Sequence, residues 1–237
     1  MRRLVLAPAV ALALLTTHVE AAPPAPQVTD PSGDANFGAN GTEQTTDQSA
    51  GAGSQDYADV VSVLWQSTKT TKKVKGRSVT TLTGFTVTAT LAGAPTPPAP
   101  TSLVFRMLGS TPKCGFFGVV YYTSKSSDPT IPQSALRDNC VNETTRLTEI
   151  AAPVIQGNTI TWTVPMSKIP ADTGVRGGTK VLDLFFEVRE LQDFRGVCLP
   201  SEDQLPEDAQ TGFGGACGLA TGIVDNSAPA GAAFVLG

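Results

Sequence analysis

The stretch SVTTLTGFTVTATLAG, residues 78–93, decides the fold class of this chain. Apolar residues and threonines alternate through its second half: Phe85, Val87, Ala89 and Leu91 fall on one side, and Thr86, Thr88 and Thr90 on the other. A period of two predicts a β-strand with one face in a core and the other in water, as in an antiparallel sheet.

Similar segments follow along the chain, and none has a sustained helical period. They are ADVVSVLWQ (58–66), SLVFRML (102–108), GFFGVVYYT (115–123), ITWTVP (160–165), KVLDLFFEVRE (180–190), with Leu182, Leu184, Phe186 and Val188 on its inner side, and AAFVLG (232–237). Gly157 and Asn158 predict a tight hairpin turn. The run KTTKKVKGR (69–77) predicts a solvated hairpin tip rather than an anion site. We therefore expect an all-β fold, an antiparallel sandwich of two sheets with about eight strands.

Residues 1–21 have the features of a secretory signal peptide. Arg2 and Arg3 precede an apolar run, residues 4–15, and small residues end the segment at Ala21. The run is shorter than the about 20 residues that a membrane-spanning helix needs. We expect a secreted, extracellular protein without a membrane span, in which a turn and flexible loop (22–55) precede one sandwich domain (56–237).

The four cysteines predict two disulfides. Cys114, Cys140, Cys198 and Cys217 form an even set in an exported chain, which is typical of structural disulfides. Three pairings are compatible with four cysteines. We favour Cys114–Cys140 and Cys198–Cys217, because each pair brackets a polar loop between apolar segments. A zinc site is the alternative, but no C-x-x-C spacing or nearby histidine supports it.

Histidine chemistry is absent from the predicted mature chain. The single histidine is His18, inside the signal peptide, so Ser-His-Asp and Cys-His catalysis and His-ligated metals are excluded. Without Arg2, Arg3 and Glu20, 15 basic and 20 acidic residues leave a net charge of −5. This balance argues against nucleic acid and anionic membranes as main partners.

A hydrolase that uses two carboxylates is the remaining enzymatic alternative. Glu187 and Glu190, or Asp183 and Glu187, lie near each other in 180–190. On a strand, Asp183 and Glu187 share a face but stand roughly 13 Å apart at ~3.3 Å per residue, too far for a glycosidase pair. We therefore expect that the protein is not an enzyme.

Four short motifs, in order, resemble exported bacterial β-sandwich domains. They are DPSGD (30–34), ADVVSV (58–63), ITWTVPMSKIP (160–170) and DNSAPAGAAFVLG (225–237). The groups they resemble are the C-terminal binding domain of glucodextranase, the family-nine carbohydrate-binding modules and the wider DOMON-like group. The resemblance implies a jelly-roll-like sandwich whose N-terminal turn holds a structural calcium ion.

The chemistry of the residues agrees with calcium. Ca²⁺ binds six to eight oxygen ligands, mostly carboxylates and carbonyls. Asp30 and Asp34 flank a turn in which Gly33 lets the backbone curl, Asp59 precedes the first core strand, and Asp225 precedes the last strand. The alternative is an Asx-turn, in which Asp30 and Asp34 bond only to the local backbone.

Three functions from different classes follow. The first is a non-catalytic binding module for a glycan or cell-surface polymer, for which the adjacent Tyr121 and Tyr122 are the candidate ligand-binding residues because one must face outward on a strand. The second is a structural or surface-interaction protein without a small-molecule site. The third is the two-carboxylate hydrolase. Trp65 and Trp162 are expected in the core rather than on a binding platform.

Overall fold

The architecture is known from a computed structural model that describes residues 24–30, 32, 56–97, 102–125, 129–141, 144–192 and 219–237. These residues contain twelve strands: β1 (Val28–Thr29), β2 (Val60–Val74), β3 (Arg77–Leu91), β4 (Ser102–Thr111), β5 (Cys114–Tyr122), β6 (Ser134–Asp138), β7 (Arg146–Glu149), β8 (Val154–Gln156), β9 (Thr159–Pro165), β10 (Lys180–Gln192), β11 (Leu219–Ser227) and β12 (Phe234–Val235). Two short 3₁₀ helices, Met166–Lys168 and Ala171–Thr173, follow β9. Among the residues described, no helix is long and apolar enough to cross a membrane.

The strands form two antiparallel sheets. The first has the order β1–β2–β3–β9–β8, and the second has the order β11–β10–β4–β5–β6–β7, with β12 pairing with the start of β10. The predicted two-sheet sandwich is confirmed. The described strands outnumber the predicted eight because β1, β6, β7 and β11 were not predicted. β1 and β7 have only two and four residues, too short to show a period, and the sequences of β6 and β11 do not alternate.

The core lies between the two sheets, as the alternation in β3 predicts. Phe85, Val87 and Ala89 are buried and pair with Val164, Trp162 and Ile160 of β9. The ring of Trp65 stacks on that of Phe85 at 5.6 Å between centroids. Both tryptophans are buried, which confirms their predicted place in the core.

The prediction for β10 is wrong at one position. Leu184, Phe186 and Val188 are buried, but Leu182 is 41% exposed. The register with β4 shifts between Leu182 and Phe185, and Asp183 has a left-handed backbone with φ of 50°. A bulge of this kind adds a residue to one strand and reverses the alternation beyond it, so Val181 takes the inner position instead.

One predicted disulfide is confirmed. Cys114 and Cys140 are bonded across a sequence separation of 26 residues, which in the chain-entropy view stabilises the fold by about 3.5 kcal/mol. Cys198 and Cys217 lie outside the described residues, as do the signal peptide and most of the 22–55 segment. Within that segment, β1 pairs with β2 and so belongs to the first sheet.

Both predicted hairpin turns are confirmed. Gly157 has φ of 57° between β8 and β9. At the end of β2, Lys75 and Gly76 have φ of 49° and 78° and connect directly to β3. Two consecutive left-handed residues form the type I′ turn that matches the twist of a two-residue hairpin.

Gly84 allows β3 and β9 to approach closely. A Cβ atom there would collide with the backbone carbonyl of Val164. We predict that Gly84→Ala lowers the free energy of unfolding by about 1–3 kcal/mol, the usual effect of overpacking. Urea denaturation measures this change in the free energy of unfolding. The control is Gly177→Ala, whose Cβ would meet only Leu82 Cδ2 at 3.7 Å, and an equal loss in both variants would contradict the prediction.

Candidate metal centre at the start of β2

The N-terminal segment is fixed alongside β2 by backbone and side-chain hydrogen bonds. The Trp65 N–H donates to Gln27 Oε1 at 2.7 Å, and Gln27 Nε2 donates to the Trp65 carbonyl at 3.1 Å. The Asp30 N–H donates to the Val61 carbonyl at 3.1 Å. The pairing therefore brings Asp30 to the beginning of β2.

Asp59 occupies the position immediately before β2 and is fully buried, at 0% exposure. Its carbonyl accepts the Ala92 N–H at 2.9 Å, and the Asp56 carbonyl accepts the Gly93 N–H at 2.8 Å. These bonds join the residues before β2 to the residues after β3, so the backbone of Asp59 is fixed against the end of β3.

Asp225 comes from the second sheet. It lies on β11, opposite Val188 of β10, and is 6% exposed. Its Oδ2 accepts a hydrogen bond of 2.6 Å from the Val60 N–H, 165 positions earlier in the chain. This bond links β11, the edge strand of the second sheet, to Val60, the first residue of β2 in the first sheet. It orients the Asp225 side chain toward the start of β2.

Three of the four predicted metal ligands are therefore found at one end of the sandwich. Asp30, Asp59 and Asp225 each have a backbone or side-chain contact at the start of β2, whereas Asp34 lies outside the described residues. Within the part of the chain described, no three acidic, histidine or cysteine side chains form a complete metal-binding group. Carboxylate oxygens are the donors that Ca²⁺ prefers, and calcium binding by these aspartates stays a prediction.

The two candidate ligand-binding tyrosines do not form an open platform. Tyr121 is partly buried against the main core, and Tyr122 is 1% exposed beside Val104 and Ala135 on the opposite face of the sheet. Burial raises the pKa of both phenols. Ligand binding at these residues stays a prediction, with Tyr122 buried and Tyr121 half-buried.

Glu187, the carboxylate shared by both hydrolase pairs, is held in an ion-pair network. Its Oε1 lies 2.6 Å from Arg106 Nη1 and 2.7 Å from Arg189 Nε, and its Oε2 accepts from Arg189 Nη2 at 2.9 Å. Burial opposes its ionisation, but the bonds and charges of Arg189 and Arg106 outweigh burial and lower the pKa of Glu187. It is therefore poorly suited to act as a general acid at neutral pH.

A third arginine completes this charged group, which the sequence reasoning missed. Arg137 of β6 is buried and lies over the ring of Phe116 at 5.6 Å. Burial and the charge of Arg106 lower the pKa of Arg137 to about 10. The sequence does carry a signal for Arg106, an arginine inside the apolar segment SLVFRML, but Arg137 lies between Cys114 and Cys140, where a polar loop is predicted.

Comparisons of this chain with protein-family models, with curated proteins and with solved structures found no match. The resemblance to carbohydrate-binding and DOMON-like domains consequently rests on the four sequence motifs.

We predict that Glu187→Gln lowers the free energy of unfolding at pH 7 by about 3–5 kcal/mol, because Arg106 and Arg189 then lose a buried counter-charge. Since the folded pKa of Glu187 lies below its ordinary value of 4.5, its contribution is present above that value and is lost as the pH falls through the folded pKa. Urea titrations at pH 7 and pH 3 should show the gap between wild type and variant narrowing in acid. Glu149→Gln, on an exposed residue of β7, is the control, and a gap that does not change with pH would contradict the prediction.

Proposed function

We propose that this protein is an exported, non-catalytic binding module for a glycan or cell-surface polymer, with a structural calcium ion held by Asp30, Asp34, Asp59 and Asp225. The observation that carries the calcium assignment is the 2.6 Å bond from the Val60 N–H to Asp225, which brings a carboxylate of the second sheet beside the buried Asp59. The oxygen-only chemistry of these four side chains favours a hard cation.

A calcium ion here would supply positive charge to buried carboxylates that come from distant parts of the chain. Asp30 follows β1, Asp59 precedes β2, and Asp225 belongs to β11. The residues themselves already position these groups, through the backbone pairing of β1 with β2 and the bond from Val60 to Asp225. The role assigned to the metal is therefore structural: it holds the N-terminal segment against both sheets.

The outer face of the first sheet supports the proposed polymer-binding role. Thr88 of β3 and Thr161 of β9 pair across the strands, and their hydroxyl oxygens lie 3.2 Å apart. Thr86 and Thr163 form the next pair, and Gln66 of β2 pairs with Thr86 on its other side. Hydroxyl and amide groups at strand spacing can both donate to and accept from sugar hydroxyls. Two further features support a non-catalytic role: the only histidine lies at position 18, and Glu187 is held ionised by arginines.

We predict that calcium raises the thermal unfolding temperature of the mature protein and that EDTA reverses the increase. Free calcium at 100 times its Kd should add about 2.7 kcal/mol. Asp59→Asn and Asp225→Asn should abolish the calcium-dependent increase, whereas Asp183→Asn should retain it, because Asp183 lies at the bulge of β10 and Asn also tolerates its left-handed backbone. Calorimetry with calcium and with EDTA measures the effect. An unfolding temperature that is the same in both would reject the calcium site and leave the Asx-turn as the role of Asp30 and Asp34.

We predict that a glycan array probed with the mature protein gives binding, and that Thr88→Val and Thr161→Val weaken it roughly 3- to 10-fold each by removing one hydrogen-bonding group. Thr96→Val, on an exposed threonine of the loop after β3, is the matched control and should bind as wild type does. Absence of binding both with calcium and with EDTA would overturn the proposed role.

A further inference from the structure

The hairpin of β2 and β3 extends well beyond the first sheet. β3 pairs with β9 only from Gly84 to Thr90, whereas its pairing with β2 continues from Lys69 opposite Leu82 to Val74 opposite Arg77. We name residues 69–83 the basic arm. Its six successive residue pairs give a two-stranded ribbon of about 20 Å at ~3.3 Å per residue, and all of its residues except Leu82 are exposed.

The local sequence explains why a ribbon forms outside the sheet. The type I′ turn at Lys75 and Gly76 sets the register. The hydroxyls of Thr71 and Thr80 lie 2.9 Å apart across the strands. Cations face neutral partners: Lys72 lies opposite Val79, and Lys73 opposite Ser78. Directly opposed like charges, which destabilise a strand pair, are thereby avoided.

The charge of the basic arm is opposite to that of the rest of the chain. It contains five cations and no acidic residue: Lys69, Lys72, Lys73, Lys75 and Arg77. The whole chain has a net charge of −4, so removing the +5 of the arm leaves −9 for the remainder. The Debye length is about 8 Å at physiological ionic strength, so the tip of an arm about 20 Å long is largely screened from the acidic body.

The cations occupy both faces of the ribbon. Lys69 and Lys73 alternate onto one face, Lys72 and Arg77 onto the other, and Lys75 lies in the turn. A partner that engages them all must reach both faces. In place of the sequence-based expectation of a solvated hairpin tip without an anion site, we propose that the basic arm is a docking surface for an acidic polysaccharide, a flexible linear chain whose carboxylate or sulfate groups pair with these cations and whose hydroxyls bond to the interleaved threonines.

Two other polyanions fit the basic arm less well. A planar anionic bilayer reaches one face only, and the arm lacks the aromatic residues that anchor proteins at membrane interfaces. Nucleic acid is read by Arg, Asn and Gln at base edges and is stacked on aromatic rings, but the arm contains one Arg and none of the others. The lysines can pair with the acidic groups of a charged polysaccharide, and the threonines between them can bond to its hydroxyls.

This inference goes beyond the proposed function, because the basic arm is distinct from the calcium site and from the outer threonines of the first sheet, Thr86, Thr88, Thr161 and Thr163, which we name the threonine face. Its test uses the mature protein and fluorescently labelled polygalacturonate at 20 mM and 150 mM NaCl. The arm variant combines Lys69→Gln, Lys72→Gln, Lys73→Gln, Lys75→Asn and Arg77→Gln, and its Asn-Gly turn keeps the type I′ preference. The control variant removes the same charge from exposed residues of the body: Lys113→Gln, Lys125→Gln, Lys168→Gln, Arg176→Gln and Lys180→Gln.

We expect the wild-type protein to bind polygalacturonate more tightly at 20 mM than at 150 mM NaCl. The arm variant should lose affinity about ten-fold or more, whereas the control variant should stay within about two-fold of wild type. Circular dichroism checks that the arm variant folds, and the pair Lys72→Gln with Arg77→Gln, expected to lose affinity about three-fold, tests the same surface with fewer changes.

Three results would overturn the inference: no binding of wild type at 20 mM NaCl, equal loss in the arm and control variants, or tighter binding to duplex DNA or to vesicles with 30% phosphatidylglycerol than to polygalacturonate. If the neutral-glycan screen fails but polygalacturonate binding is retained, only the glycan-binding role proposed for the threonine face is overturned. Loss of polygalacturonate binding in Thr88→Val with an unchanged arm variant would assign the polymer to the threonine face and reject the arm.

Discussion

The hydrogen bond from the Val60 N–H to Asp225 Oδ2 is the interaction on which the arrangement of the candidate site depends. It is short, at 2.6 Å, buried, and charge-assisted, and such bonds contribute about 1.5–3 kcal/mol. It is also the place where the first sheet, through β2, meets β11 at the edge of the second. It brings the side chain of Asp225 next to the residue that follows Asp59.

This placement has an electrostatic consequence. Asp59 at 0% and Asp225 at 6% exposure place two buried acidic side chains at the start of β2, and buried polar groups of this kind require compensation. The fold tolerates them where a hydrogen bond, a cation or a proton compensates. The proposed calcium ion would be one such compensation, and on that proposal its removal would affect β1, β2 and β11 together.

The sequence predicted those parts of the fold that local patterns encode. The alternation in β3, the turn at Gly157 and the pairing of Cys114 with Cys140 are confirmed because each depends on residues close in sequence or on simple loop closure. Leu182 was misplaced because the bulge at Asp183 depends on the register with β4, a long-range property. β1 was not recognised, since two residues show no period and their pairing is supported by the contacts of Gln27 with Trp65.

The candidate site was predictable only as a set of residue types. The oxygen chemistry of Asp30, Asp59 and Asp225 was legible in the sequence, but their approach to the start of β2 follows from β-sheet pairing and from a contact across 165 positions. The arginines around Glu187 illustrate the same limit. Arg106 is visible in a predicted strand segment, yet only the register of β4 with β10 shows that Arg106 faces Glu187.

The threonine face and the basic arm belong to one continuous surface of the β2–β3 hairpin. The register shift between Thr68 and Lys69 places its extra residue in β3, whereas β2 itself alternates without interruption from Ser62 to Val74. Gln66 beside the threonine face and Lys72 on the arm therefore lie on the same side of β2. The hydroxyls of Thr83 and Thr68 meet at 3.3 Å where the two regions join. A polymer lying along this side would meet neutral hydrogen-bonding groups over the sheet and Lys72 and Arg77 beyond it, and it would have to pass around the arm to reach Lys69 and Lys73 on the other face.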